Sequence, residues 1–165
     1  MTLLAIDPGK NIGWALFSLA NGEEIGRGVM DFDLFSHSLN YRPRVSTDKI
    51  VFTPRKAVTA RSEYLVKEIV YESWYLDPGI PQGGSVGHAS EVIGVLKYLA
   101  NQAGIPIYAQ RSAILPVAMK HTGYRKPLTK TGKEKHLPDE DSAYLHGMYR
   151  LISTGVATPP HQPPL

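Results

Sequence analysis

Asp7, Glu72 and the run Asp139-Glu140-Asp141 are carboxylates in places where carboxylates are costly or concentrated. Asp7 ends a short apolar run, Leu3 to Ile6, and opens the turn Asp7-Pro8-Gly9. Glu72 lies in the middle of IVYESWYL, where period-two alternation puts Val70 and Trp74 on its face. A lone carboxylate in such a strand is strongly destabilising unless it is paired or bound to a cation. The acidic run opens a helical pattern, where the helix dipole stabilises negative charge by about 0.3 to 1 kcal/mol per group. Singly, each has an ordinary role: a turn aspartate, a strand-edge glutamate bonded to an arginine, and decoration of a helix N-terminus. Together they supply several oxygens to one place in a chain without cysteine, a donor set that suits Mg²⁺ or Mn²⁺ and not zinc. Two such ions about 4 Å apart activate a water and stabilise the leaving oxygen in phosphodiester cleavage. That is the chemistry of a nuclease.

The charge distribution points the same way. The net charge is only +3. Residues 37 to 67 hold seven cations against Asp48 and Glu63, a net of +5, and residues 111 to 136 hold seven against Glu134, a net of +6. The remainder is −8, so two basic segments face an acidic body. A polyanion is gripped by such segments, and it approaches the acids only if a cation intervenes. Solvated charged faces are the plain alternative.

These side chains need elements to position them. A chain of 165 residues with 42% hydrophobic and 20% charged content fits one ordinary globular domain. The apolar runs predict strands over Leu3 to Ile6, Ile12 to Leu19 and Glu24 to Phe32, an antiparallel meander punctuated by Asp7-Pro8-Gly9 and Asn21-Gly22. Residues 33–53 lack a clear period and are expected to form an irregular basic arm. Helix formers predict a helix over Pro54 to Glu68, and β-branched and aromatic residues a buried strand over Ile69 to Leu76. A glycine-rich loop follows. Val92, Val95, Leu96 and Leu99 share a face of a helix ending at Gly104, and Ile105 to Ala109 is expected as a parallel strand. A basic loop with a short helix at Leu115 to His121 precedes a last helix over Asp139 to Ser153, with Pro138 at its start. Residues 154–165, rich in proline, are expected to be a disordered tail. No apolar stretch reaches membrane-spanning length, and MTLLAIDPGK has no signal-peptide features, so a cytoplasmic location and no membrane partner are expected. His88, His121 and His146 lack metal-ligand spacing and are expected to be structural or solvent-exposed; Trp74 and Tyr75 are expected in the core.

Taken in order, LLAIDPGKNIGWALFS, VYESW, GGSVGHASEVIGVLKYLANQAGIPIY and DEDSAYLHGMYRLI resemble RuvC-like Holliday junction resolvases of the ribonuclease H-like superfamily, in particular divergent phage members, across residues 3 to 152. The resemblance implies an α/β ribonuclease H-like fold with a five-stranded mixed sheet flanked by helices. It implies one nuclease domain over 1–153 and a homodimer acting on branched DNA in the cytoplasm of a bacterial host. It also implies two Mg²⁺ ions per site, with Mn²⁺ as the alternative. Asp7 matches the acid ending the first strand and Glu72 the glutamate of the later one. The last motif is ambiguous, because the family presents D-x-x-D or H-x-x-D there. The three-residue spacings in this chain are His136 to Asp139 and Asp139 to Ser142, while Asp141 is two from Asp139 and positions two apart do not share a helix face. Ser142 falls where an aspartate is usual. The expected catalytic and metal set is Asp7, Glu72, Asp139 and Asp141, with His136 as a further metal ligand. The family's V-K before T-G is replaced by Val117-Ala118 before Thr122-Gly123, so Lys120 or Arg125 would stand in for the lysine. DNA contacts are expected from Arg42, Arg44, Arg55, Lys56, Lys120, Arg125, Lys126 and Lys130.

Two rivals share these residues. A junction-binding protein that has lost its metal with the change to Ser142 would bind without cutting. An actin-like phosphotransferase fragment would cradle ATP phosphate on Asp7-Pro8-Gly9-Lys10-Asn11-Ile12-Gly13.

Overall fold

A computed structural model describes residues 1–43, 49–54, 62–73 and 85–159. Three apolar runs joined by tight turns pair as an antiparallel meander: β1 (Thr2–Asp7), β2 (Ile12–Ser18) and β3 (Glu24–Met30). Strand β6 (Tyr64–Glu72) lies parallel to β1 on its other side, and β7 (Ile107–Gln110) is parallel to the second half of β6. These five belong to one mixed sheet of seven strands, not five as expected: β3-β2-β1-β6 lie side by side in that order, and β7 pairs with the second half of β6 beside a hairpin of the two further strands. Helix α2 (Ser85–Ala103) connects β6 to β7 on one face, and Gly104, with φ 60°, ends it. On the other face lies α4 (Asp139–Ser153). Before it come a 3₁₀ turn and α3 (Leu115–Thr122), closed by Gly123 in the left-handed region.

Alternation within the strands sorts their side chains between the two helical layers. Leu4, Ile6, Trp14, Leu16, Ile69 and Tyr71 pack with Val92, Leu96 and Ala100 of α2. Leu3, Ala5, Ala15, Phe17 and Val70 pack with Ala143 and Leu151 of α4. A smaller cluster of Ala118, Leu137 and Leu145 ties α3 to α4.

Several expectations need correction. The arm over 33–53 is not irregular: α1 (Phe32–Ser38) starts on an Asp31 cap, whose carboxylate accepts from Leu34 N at 2.8 Å. It leads into the hairpin of β4 (Leu39–Arg42) and β5 (Lys49–Phe52), whose Leu39, Ile50 and Phe52 join the core. Arg44 lies outside the described residues. The helix expected over Pro54 to Glu68 is replaced, from Tyr64 on, by strand; residues 55–61, with Arg55 and Lys56, lie outside the description. Leu65, Lys67 and Glu68 are competent helix formers, but this segment is the centre of the sheet. The first half of β6 pairs antiparallel with β5, and β1 takes its other edge, so tertiary pairing overrides local propensity. The strand therefore starts earlier than Ile69, and Trp74 and Tyr75 lie outside the described residues. At the other end, the chain after α4 packs back as far as residue 157, with Val156 N donating to Leu151 O at 2.9 Å and Val156 and Ala157 against the α4-side core. Among the described residues, no helix is long and apolar enough to cross a membrane.

Candidate functional site

In the parallel register of β1 and β6, Ile6 is opposite Tyr71. The next residues, Asp7 and Glu72, therefore leave the sheet side by side, on the face that Ala5 and Val70 turn toward α4. The first turn of α4 brings Asp139 and Ser142 to the same place. Ser142 is buried, and its hydroxyl donates to Glu72 Oε2 at 3.2 Å. The Asp7 carboxyl is close enough to both Ser142 and Glu72 for each to shift its proton affinity. The consequence is electrostatic. Burial, and then the negative charge of Glu72, push the Asp7 carboxyl up from 3.8 to about 7; Asp139 adds in the same direction and the Ser142 hydroxyl opposes it. The Asp139 carboxyl is raised too, by burial and then by Glu140, against a lowering effect from His136.

The close approach of α4 depends on glycine. A Cβ on Gly13, which pairs with Asp7 across the β1–β2 ladder, would lie 2.0 Å from the backbone oxygen of Asp139. A Cβ on Gly147 would lie 2.2 Å from Cε2 of Phe17. Neither glycine was singled out for the site by its sequence context, and the only signal was a small residue directly after the apolar Ile12. Along α4, residues 139, 142, 146 and 150 recur at three- and four-residue spacing and so form one face against the sheet. On that face His146 is fully buried, with Nδ1 2.8 Å from Gln110 Oε1, and Arg150 Nε donates to Glu68 Oε1 at 2.6 Å.

Asp141, expected in the metal set, is on another face of the helix, away from Asp7 and Glu72. Its Oδ1 is 2.8 Å from Arg27 Nη1 of β3, and its Oδ2 accepts from the Tyr124 hydroxyl. Two residues of helix turn it about 200° from Asp139. Burial, and then this bond, push the Tyr124 hydroxyl well above its ordinary range. Asp141 thus ties α4 to β3 and to the basic loop. His136 is exposed, beside Asp139, with Nδ1 2.8 Å from Leu137 O.

These groups form one end of a cleft of about 1050 Å³. Asp7, Glu72, Asp139 and Ser142 are its acidic end; Lys10, Arg125, Lys126 and His136 line it with positive or ionisable groups, and Pro116, Met119 and Leu128 with apolar ones. Lys10 and Asn11, which follow the Asp7 turn, were not among the residues expected to contact DNA; their place beside the turn was the available signal. Of the cations expected to contact DNA, Arg125 and Lys126 reach the cleft, and Lys126 Nζ is also 3.5 Å from Glu134. Lys120 and Lys130 are exposed but outside its lining. Arg42 lies on the hairpin, with Nη1 donating to Glu63 Oε2 at 3.0 Å.

Whether this centre fits a divalent cation is a question of donors and charge. Among the described residues, no three acidic or imidazole side chains are grouped closely enough to hold an ion as a set. Mg²⁺, however, is commonly held by one or two carboxylates and keeps several waters. Asp7 and Glu72 are such a pair, hard oxygens crowded until one favours its proton, and a cation relieves that repulsion. The residues fit.

This crowding makes stability depend on pH. The folded-state pKa of Asp7 lies above its unfolded value, so its stabilising contribution is complete below about pH 4 and is lost as pH rises to about 7. In chelator, the melting temperature should be higher at pH 5.5 than at pH 8 by several degrees, and millimolar Mg²⁺ or Mn²⁺ should recover the loss at pH 8. Asp7→Asn should flatten both dependences; scanning fluorimetry reads the result.

No protein-family model matches the chain, and no curated protein matches it by sequence. Among solved structures, Thermus thermophilus RuvC in complex with Holliday junction substrate is similar over 96% of this chain and 99% of that one, with 14% identity and a TM-score of 0.53. A second Thermus thermophilus RuvC structure covers the same shares at 12% identity and a TM-score of 0.49. The first of these likenesses shows the fold: the chain has the ribonuclease H-like architecture of RuvC, the family its sequence motifs resemble.

Proposed function

We propose that this chain is a metal-dependent endonuclease that cuts four-way or related branched DNA as a homodimer. The observation that carries the reading is the meeting of Asp7, Glu72 and Asp139 at the acidic end of a cleft also lined by Lys10, Arg125 and Lys126. An acidic end repels a phosphodiester, while the cations beside it attract one. A bound divalent cation reconciles the two, and the chemistry it supplies is activation of water and stabilisation of the leaving oxygen. Asp7 with Glu72, and Asp7 with Asp139, are the pairs that would hold two ions. Ser142 orients Glu72 through its hydroxyl, and the lining cations hold the flanking backbone. A two-fold dimer would present two such clefts to symmetric strands of a junction. The fold likeness to a protein solved with a Holliday junction substrate supports branched DNA as the ligand.

The deciding experiment incubates the protein with a labelled four-way junction and with a linear duplex of the same sequence, in Mg²⁺ and in Mn²⁺. Paired, symmetric nicks in the junction alone are expected. Retention of the junction without nicks supports the second reading, a junction-binding protein, which the presence of Ser142 in place of a fourth carboxylate favours.

Affinity should come mainly from phosphate contacts, so it should fall steeply with salt and vary little with sequence. Arg125→Ala should weaken binding to all sequences alike and reduce the salt slope by about 1, as measured by fluorescence anisotropy.

A further inference from the structure

His146 is fully buried, one turn beyond Ser142 on the α4 face that meets the acidic centre. Its Nδ1 donates to Gln110 Oε1 at 2.8 Å, and β7 fixes that partner because Gln110 pairs with Glu72 across the ladder. In the neutral ring that bond places the single proton on Nδ1, and Nε2 then presents its lone pair. That atom is buried, makes no hydrogen bond, and lies 3.5 Å from Glu72 Oε2. Two electron-pair donors thus face one another. Alone they repel, and a cation that accepts from both makes the arrangement favourable.

We infer that His146 Nε2 is a nitrogen ligand for a divalent ion held on Glu72, and that the centre therefore favours first-row transition ions over Mg²⁺. The separation suits this role, since two ligands each about 2.1 Å from one ion stand about 3.0 to 3.5 Å apart. Imidazole is a poor donor for Mg²⁺ and a good one for transition ions, whereas an all-carboxylate site favours Mg²⁺, Ca²⁺ or Mn²⁺. Ser142 sharpens the contrast. A hydroxyl at that position leaves the centre one anionic oxygen short, and the imidazole a turn later supplies a neutral donor. The ring cannot swing clear, because Gly147 and Ala143 hold α4 directly on the sheet and Gln110 anchors Nδ1.

The inference rests on the metal-holding part of the proposed function, and the test separates the two. Mn²⁺ is titrated into the full-length protein and followed by calorimetry and by pulsed electron paramagnetic resonance, which detects ligand nitrogen through its hyperfine coupling. The expected result is a ¹⁴N coupling from bound Mn²⁺ that changes to a ¹⁵N pattern in protein made with ¹⁵N-histidine. It should persist in His136→Gln, a change at an exposed position, and disappear in His146→Gln. The preference for Co²⁺ over Mg²⁺, from calorimetric titrations of each, should fall by at least about tenfold in His146→Gln, the scale set by removing even an outer partner of a metal ligand. Labelled wild-type protein carries the test if His146→Gln does not fold. Bound Mn²⁺ without histidine nitrogen coupling, or with a coupling that survives in His146→Gln or vanishes in His136→Gln, overturns the inference and leaves the nuclease reading standing. Failure of the wild-type protein to bind Mn²⁺ overturns both.

Discussion

Glu72→Gln should abolish metal-dependent cutting of a four-way junction while leaving its binding almost unchanged. Glutamine keeps the size of the side chain and an oxygen to accept from the Ser142 hydroxyl, which lies 3.2 Å from Glu72 Oε2, so the local packing should survive. What disappears is the negative charge beside Asp7. Removing one electrostatic contributor at a reacting centre typically slows the reaction by about 10²- to 10³-fold, and loss of a carboxylate that holds the metal should be at least as severe. The same substitution should stabilise the chelated protein at pH 8, because the charge of Glu72 is the second-largest cause of the raised Asp7 pKa. Catalysis and apo stability should thus move in opposite directions, a pairing that ordinary damage to a core does not produce. Gel-resolved cleavage, anisotropy and thermal melts on one preparation test all three. Wild-type cutting rates in Glu72→Gln would remove the carboxylates from the chemistry.

Gly13→Ala should be the most damaging single-methyl change in the described chain. Its Cβ would lie 2.0 Å from the backbone oxygen of Asp139 and 2.2 Å from that residue's carbonyl carbon, and backbone cannot rotate away as a side-chain tip can. Overpacking of this kind costs about 1 to 3 kcal/mol, and at such distances the upper end applies. The only relief is movement of the first turn of α4, which carries Asp139 and Ser142. Metal affinity should therefore fall by more than the loss of stability accounts for. Gly94→Ala is the matched control: α2 leaves open space there, and alanine in a helix should be neutral or stabilising by up to about 1 kcal/mol. Denaturant melts and Mn²⁺ titrations of the two variants measure the difference. Equal behaviour would mean that α4 does not sit on β2 as described.

Much of this architecture was legible in the sequence because it is written in local patterns. The meander follows from apolar runs separated by Asp7-Pro8-Gly9 and Asn21-Gly22, and both α2 and α4 follow from helical spacing with Gly104 and Pro138 at their ends. The convergence of Asp7 and Glu72 was also legible, since a carboxylate ending one buried strand and another within the next need a common reason to be there. What local pattern misreported is the stretch around β4, β5 and the start of β6. Lys67 and Glu68 look helical by composition. Glu68 is tolerated on a central strand because Arg150, 82 residues later, bonds it at 2.6 Å while stacking on Tyr108 at 3.7 Å.

The residue types at the centre, the absence of thiol ligands and the order of the acids along the chain were set by the sequence alone. The rotation of α4 about its axis was not. Periodicity states which residues share a face but not which face meets the sheet, and that is decided where Gly13 of β2 admits the backbone of Asp139 and Gly147 lets the helix rest on Phe17. The rotation sends Asp141 to Arg27 and Tyr124, and brings Ser142 and His146 to Glu72. Side chains two positions apart on a helix cannot both reach one site, and steric contact between distant segments chooses between them.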